Sequence, residues 1–156
     1  MAEDDSISKK PSAANWLSKL HNPPTFFLDR SLGRHKVAAA LRKAGAQVVI
    51  HDDRFNQDAA DEVWLRAAGE NRWVVFTKDK NIRFHLREKE TLVEYGVRAF
   101  VLTAKALNAE EMGAIFVGAL SKIVKVLENN AGPFVATISA SGSIRIVWPS
   151  QGASKD

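Results

Sequence analysis

The stretch "WVVFTKDKNIRF" (Trp73–Phe84) changes character halfway along its length. Its first half contains Val74–Phe76, an uncharged run of β-branched and aromatic residues that predicts a short buried strand. The chain then becomes charged, with Asp79 between Lys78 and Lys80. A strand that belongs in the core therefore delivers a carboxylate at its C-terminal tip, which is where parallel α/β sheets carry their functional groups.

Strands and helices alternate on both sides of this stretch. The segments "TFFLD", "AQVVIHD" and "RAFVL" predict three more strands. Between the first two, Val37, Ala40, Leu41 and Ala44 follow helical spacing, so we expect a helix that ends at Gly45. Strands that alternate with helices indicate a mainly parallel sheet covered on both faces, which is a three-layer α/β/α sandwich.

The C-terminal part of the sequence has a different pattern. Asn108 is expected to cap a long helix from Ala109 to about Glu128. The segment 134–148 then alternates around Ser141-Gly142 and predicts a β-hairpin at the edge of the sheet. We expect residues 1–23 to form a flexible N-terminal tail, 24–149 a single domain and 150–156 a C-terminal tail.

Composition excludes several classes of function. The 156 residues include no cysteine, so disulfide frameworks and thiolate chemistry are ruled out, and the four histidines follow no metal-binding spacing. The acidic start differs from a secretory signal, and the apolar run 112–121 is far shorter than the ~18 residues of a membrane span, so we expect a cytoplasmic protein without membrane contact. A net charge of +4 points weakly towards nucleic acid.

Acidic residues recur where the predicted strands end. Asp29 follows the first strand directly, Asp61 and Glu62 begin the helix after the second strand, and Asp79 follows the third. Carboxylates that share one edge repel one another unless a cation neutralises them, and oxygen ligands favour Mg²⁺ or Mn²⁺. Ordinary roles in turns and helix caps also fit each acid taken alone, above all Asp58, which is a plausible N-cap.

These motifs resemble the bacterial PIN-like domains, relatives of the VapC toxin ribonucleases. The similarity extends over about 26–102 and includes the "HDDRF" loop, the "DAADEVW" helix start and the "TKD" strand end. The resemblance implies an α/β/α fold whose acids gather around Mg²⁺ or Mn²⁺ to cleave single-stranded RNA. Carried over by motif, Asp29, Asp61 and Asp79 would be catalytic metal ligands, and Glu62 could substitute for Asp61.

Basic and hydroxyl side chains near these acids suit an RNA-binding rim. The set expected to contact substrate comprises Arg30, Arg34, Lys36, Thr77, Lys78, Lys80 and Arg83. The resemblance further implies an antitoxin protein as partner. A homodimer is an open alternative, because the apolar helix 112–127 could serve either an interface or the core.

The sequence departs from typical VapC chains in two respects. Their second acid usually lies on a later helix, and a fourth acid is replaced here by Asn81 or lies elsewhere. Two alternatives therefore stay open: a degenerate PIN-like module that binds RNA or protein without cutting, and a receiver-type domain phosphorylated on Asp79. Against the receiver, the paired acids after the first strand are reduced to Asp29-Arg30, and no Lys-Pro follows a fifth strand.

Overall fold

The central sheet has six strands. The structure, a computed structural model, describes residues 16–17, 19–79 and 86–149. Its strands are β1 (Thr25–Leu28), β2 (Gln47–Ile50), β3 (Val74–Thr77), β4 (Arg98–Leu102), β5 (Phe134–Ile138) and β6 (Ile144–Trp148). They lie in the order β2-β1-β3-β4-β5-β6, and every pair is parallel except β5–β6. The predicted parallel sheet and its edge hairpin are confirmed.

Helices connect the parallel strands. They are α1 (Lys36–Lys43), the short α2 (His51–Arg54), α3 (Asp61–Glu70), α4 (Leu86–Tyr95), α5 (Ala109–Gly118) and α6 (Leu120–Asn129), and a 3₁₀ turn covers Arg30–Leu32. The single long helix predicted after Asn108 is wrong in one respect: it is interrupted at Ala119. Asp58 is not the N-cap of α3, because the chain enters that helix at Ala60.

Alternate side chains of the strands, those that point to one face of the sheet, fill the layer between the sheet and helices α1, α5 and α6. Phe26 of β1 stacks on Phe76 of β3 with ring centroids 4.6 Å apart, and Phe76 stacks on Phe116 of α5 at 4.4 Å. All three rings are fully buried. Because successive strand residues point to opposite faces, these aromatic residues fix which face of β1 and β3 turns towards α5.

The opposite face packs against α3 and α4. Phe27 of β1 stacks between Trp64 and Trp73, at centroid distances of 5.3 and 5.5 Å. Leu92 of α4 completes this second core. Val63, the neighbour of Trp64 on α3, is 50% exposed, because the helix turns it towards solvent. The two cores confirm the three-layer α/β/α architecture.

The chain joins the core before β1 begins. Trp16 and Leu17 are helical, and Leu17 is buried in the same core cluster as Phe26 of β1 and Ile123 of α6. Within the described residues, no helix is both long enough and apolar enough to cross a membrane.

Candidate active site

Three strand ends meet at the C-terminal edge of the sheet. β1 lies between β2 and β3, and Leu28 is in register with both Ile50 and Phe76. The next residues along these strands, Asp29, His51 and Thr77, therefore lie side by side at this edge. The Asp29 amide extends the pairing with β3 by donating to the Phe76 carbonyl at 3.1 Å.

Asp29 is a buried carboxylate held by three donors. It is only 6% exposed and caps the 3₁₀ turn. The Thr77 hydroxyl donates to Asp29 Oδ2 at 2.5 Å, and the Ser31 amide donates to Oδ1 at 2.8 Å. The Ser31 hydroxyl donates to the same Oδ1. These contacts fix the orientation of the carboxylate at the end of β1.

Asp79 shares this position with Asp29. Its amide donates to Thr77 Oγ1 at 2.9 Å, so the Thr77 hydroxyl connects the two acidic residues. Burial raises the pKa of Asp29, the hydrogen bonds from Ser31 and Thr77 oppose that rise, and the negative charge of Asp79 adds to it. A buried carboxylate next to a second negative charge is a place where a cation would be stabilised.

Another acid, Asp52, lies just after β2 and pairs with positively charged side chains. Arg30 Nε lies 3.4 Å from its Oδ1 and Arg34 Nε 3.7 Å from its Oδ2, while His51 Nδ1 is 2.9 Å from Oδ1. The hydrogen bond with His51, reinforced by the two guanidinium groups, holds the pKa of Asp52 below its usual range. Asp52 therefore positions both arginines at the rim of the edge that carries Asp29.

The predicted ligands on α3 have a different environment. Asp61 is partly buried, and its Oδ1 accepts a hydrogen bond from Trp64 Nε1 at 3.1 Å. Glu62 is exposed. Within 16–17, 19–79 and 86–149, no three histidine or carboxylate side chains are arranged to hold a metal ion together. The structure thus brings Asp29 and Asp79 together without a third acid grouped beside them.

The predicted basic rim is partly engaged by protein groups. Arg30 and Arg34 are about half exposed, and both pair with Asp52. Lys36 pairs with Glu110 of α5 at 3.0 Å, an exposed contact that draws it towards α5. Lys78 is exposed, and its amide donates to Ser31 Oγ at 2.9 Å. The two other predicted contacts, Lys80 and Arg83, lie outside the described residues.

Two residues of this edge were missed by the sequence analysis. Ser31 was not considered, although the spacing Asp-x-Ser is typical of a carboxylate that caps a turn and bonds the following hydroxyl. Asp52 belongs to the "HDDRF" loop and to the end of the predicted strand "AQVVIHD", and neither assignment predicts a contact with the arginines. Instead β2 ends at Ile50 and α2 begins at His51, which turns Asp52 towards Arg30 and Arg34.

The donor set suits a hard divalent cation better than a soft one. Asp29 and Asp79 supply carboxylate oxygens, the ligands that Mg²⁺ and Mn²⁺ prefer. The imidazole of His51, which contacts Asp52, is buried against the Phe27, Phe55 and Trp64 rings. The edge therefore fits a cation held by few protein ligands, a coordination that Mg²⁺ commonly adopts with additional water.

Comparisons with known proteins agree with these motifs. A sequence model described as "PIN like domain" matches residues 24–104, which include β1 to β4 and all three strand ends. "Putative ribonuclease VapC45" of Mycobacterium tuberculosis is 30% identical over 125 residues, which are 78% of this chain and 90% of that protein. A search of the solved structures gave no significant match. The receiver alternative finds no support in these matches, and the chain belongs to the PIN-like domain family, among its VapC-related members.

Proposed function

We propose that this protein is a ribonuclease that hydrolyses single-stranded RNA with the help of Mg²⁺ or Mn²⁺. The observation that carries the proposal is the arrangement of Asp29, Thr77 and Asp79 at adjacent strand ends. A buried carboxylate next to a second acid lowers the stability of the fold, and a bound cation would offset that loss. The 30% identity to a protein named as a ribonuclease supports nuclease chemistry as that purpose.

The chemistry of phosphodiester hydrolysis matches this edge. A bound divalent ion would lower the pKa of a water molecule and neutralise charge on the phosphoryl group. Asp29 and Asp79 would hold the ion, with Asp61 as the third proposed ligand and Glu62 as its substitute. Thr77 and Ser31 orient the Asp29 carboxylate, so its oxygens keep one direction whether or not substrate is present.

Substrate binding would rely on the positive rim. Arg30 and Arg34 would contact phosphates that flank the cleaved bond. Lys78, Lys80 and Arg83 would contact further phosphates of the same RNA strand. Each phosphate contact releases counterions, so the affinity for RNA should fall steeply as salt rises. Asp52 lowers the net charge of the rim but fixes the direction of both guanidinium groups, which reduces the conformational entropy lost on binding.

The test is a cleavage assay with a fluorescent single-stranded RNA. The wild-type protein should generate product with Mg²⁺ or Mn²⁺ and none with EDTA. Asp29→Asn and Asp79→Asn should give no product while retaining the wild-type circular dichroism spectrum. Asp58→Asn is the matched control, since this exposed acid is not a proposed ligand and its loss should leave cleavage unchanged. Cleavage by Asp29→Asn at the wild-type rate would refute the proposed site.

A second candidate is a PIN-like module that binds RNA or a protein without cutting. The finding that favours it is the lack of a third grouped acid within the described ranges. The same assay separates the candidates, because a binding module would retain RNA equally with Mg²⁺ and with EDTA and would form no product in either.

We further propose a role as the toxin of a toxin–antitoxin pair in the cytoplasm. The VapC-related match supports it, since the name of that relative places it among such ribonucleases. Expression of the gene alone should arrest growth, and Asp29→Asn should relieve the arrest. A homodimer would appear as twice the monomer mass in light scattering. Normal growth on full expression of active protein would contradict the toxin role.

A further inference from the structure

A cavity of about 600 Å³ lies at the opposite end of the sheet from the acids. Its walls come from residues 20–25, which lead into β1, from Asn71 and Arg72, which precede β3, from Arg98 at the start of β4, and from the second half of α6. Because β1, β3 and β4 are parallel, all these groups lie at strand N-termini. The cavity is therefore separate from the edge that carries Asp29.

Two arginines share this cavity. Arg98 donates from Nη2 to the Arg72 carbonyl at 2.8 Å. Burial, together with the positive charge of Arg72, lowers the pKa of Arg98 to about 10. Across the described parts of the chain, no ion pair within 4 Å joins either arginine to an acid, including Glu128, which also lines the cavity. Among the described residues, the two neighbouring cations therefore have no acidic partner within 4 Å, and a bound anion would reduce the repulsion between them.

The backbone holds both arginines in place. Arg72 has a φ of 59°, a left-handed conformation that is unusual for a residue other than glycine. Gly132 packs against Arg98, since a Cβ atom at this glycine would lie 2.6 Å from Arg98 Cγ. The Arg98–Arg72 hydrogen bond joins the start of β4 to the loop that precedes β3, but it uses one of the five guanidinium donors. This structural role accounts for Arg98 alone and leaves the second cation unexplained.

The rest of the cavity wall is mixed in character. Leu20, Val124 and Leu127 provide an apolar side, and Thr25 and Asn71 provide polar groups. This combination and a volume of about 600 Å³ are typical of small-molecule sites. Paired guanidinium groups bind phosphate in a bidentate manner, and a phosphate monoester carries close to two negative charges, which matches two arginines better than a carboxylate does.

We propose that this cavity binds an organic phosphate of about nucleotide size. The phosphate would lie between Arg72 and Arg98, and the organic part would contact Leu20, Val124 and Leu127. The site stands independently of the proposed nuclease activity, because it uses none of the residues at the C-terminal edge. Its occupancy would tie residues 20–25 to β3, β4 and α6, and would thereby stabilise the folded chain.

The test is a nuclear magnetic resonance titration with AMP and, separately, with inorganic phosphate. The protein carries Asp29→Asn and the buffer contains EDTA, so that the opposite edge binds no metal. AMP should shift the amide signals of Thr25, Arg72 and Arg98 in a saturable manner, and phosphate should shift the latter two more weakly. Arg72→Gln should weaken AMP binding at least tenfold. Arg66→Gln is the control with equal charge loss, since Arg66 pairs with Glu70 on the surface of α3.

Two further variants separate the shape of the cavity from its charge. Leu127→Trp should block AMP by filling the apolar side while both arginines remain, and Glu128→Gln should bind AMP at least as tightly as the parent protein. The proposal is wrong if neither AMP nor phosphate shifts these amides in a saturable manner, or if Arg72→Gln binds AMP as well as Arg66→Gln does. It is also wrong if only a single-stranded RNA shifts them, which would indicate contact with an RNA backbone instead.

Discussion

The Thr77 hydroxyl donates a hydrogen bond to Asp29 across two neighbouring strands, with 2.5 Å between Oγ1 and Oδ2. Both side chains are buried. The same hydroxyl oxygen accepts the amide hydrogen of Asp79, so one atom aligns the acid at the end of β1 with the backbone that carries the acid after β3. The strand order makes this possible, because β1 and β3 are adjacent although they are about fifty residues apart in sequence.

Replacing this hydroxyl should disturb the site more than the fold. Thr77→Val preserves the shape but leaves Asp29 without one donor and the Asp79 amide without its acceptor. A hydrogen bond to a charged group contributes about 1.5–3 kcal/mol, so metal-dependent cleavage should fall by roughly tenfold or more. Thr77→Ser retains the hydroxyl and should recover most of the rate. Equal rates for the Val and Ser variants would show that the hydroxyl has no role in orienting Asp29.

The raised pKa of Asp29 predicts a pH-dependent cost to stability in the absence of metal. The folded protein holds this proton more tightly than the unfolded chain does, so stability falls as pH rises from the ordinary aspartate range through the raised pKa. Asp29→Asn removes this titration. In EDTA, the variant should therefore melt at a higher temperature than the wild type at pH 8, and the difference should shrink towards pH 4.

The control for this experiment is Asp58→Asn, which removes the charge of an exposed acid outside the Asp29–Thr77–Asp79 hydrogen bonds. Addition of Mn²⁺ at pH 8 should raise the melting temperature of the wild type and leave that of Asp29→Asn unchanged, because an ion that binds only the folded site stabilises it. Parallel pH profiles for wild type and Asp29→Asn would contradict the assigned direction of the pKa shift.

Substitution of Asp61 distinguishes a structural role of this residue from a catalytic one. Its Oδ1 accepts from Trp64 Nε1, a contact that an asparagine can also make. If Asp61 holds a metal ion, Asp61→Asn should lose cleavage while its melting temperature stays that of the wild type. Glu62→Gln should retain activity, and the double variant should lose any remainder. Full cleavage by Asp61→Asn would limit the role of Asp61 to supporting Trp64.

Asp52 should govern how the rim arginines meet RNA. Asp52→Asn removes the charge that pairs with Arg30 and Arg34, so both guanidinium groups lose their fixed direction. We expect faster RNA association, because the rim becomes more positive, and faster dissociation, because the arginines are less ordered. Surface plasmon resonance with an uncleaved RNA on the Asp29→Asn background would measure both rates. Asp53→Asn, an exposed neighbour, is the matched control, and identical rates in the two variants would contradict the role of Asp52.

The pH dependence of stability gives a second test of Asp52. The pKa of this group is lowered in the folded protein, so its stabilising contribution is present above the ordinary aspartate range and is lost as pH falls through the lowered value. Asp52→Asn should consequently melt below the wild type at neutral pH, and the two curves should approach each other in acid. Asp53→Asn should show no such convergence.

The sequence predicted the strand ends because a buried strand has few alternatives. An uncharged run such as Val74–Phe76 buries its apolar side chains inside a sheet, and the acid that follows the run must then lie at the edge of that sheet. The same logic located Asp29. It could not give the distance between Asp29 and Asp61, since that depends on how the loop 55–60 enters α3, and loop geometry leaves no periodic pattern in a sequence.

The misjudged elements share a physical cause. Asp58 has the side chain of a good N-cap, but α3 begins after Ala60, so the local preference was overridden by the packing of Trp64 against Phe27. The helix break at Ala119 follows Gly118, a residue with low helix propensity. Apolar residues continue on both sides of Gly118, however, and this pattern predicts one uninterrupted helix. Local preferences that compete with tertiary packing are the ones that a single sequence leaves unresolved.

The spacing of α3 and α4 depends on one glycine. A Cβ atom at Gly69 would collide with Tyr95 Cβ and would lie 2.5 Å from the Tyr95 carbonyl oxygen, which belongs to the backbone and cannot move aside alone. Gly69→Ala should therefore destabilise the fold by about 1–3 kcal/mol, although alanine favours a helix over glycine. Gly118→Ala is the control, because open space surrounds that position, and it should gain roughly 0.5–1 kcal/mol. Urea unfolding of both variants measures these differences, and a gain in stability for Gly69→Ala would show that the two helices can separate freely.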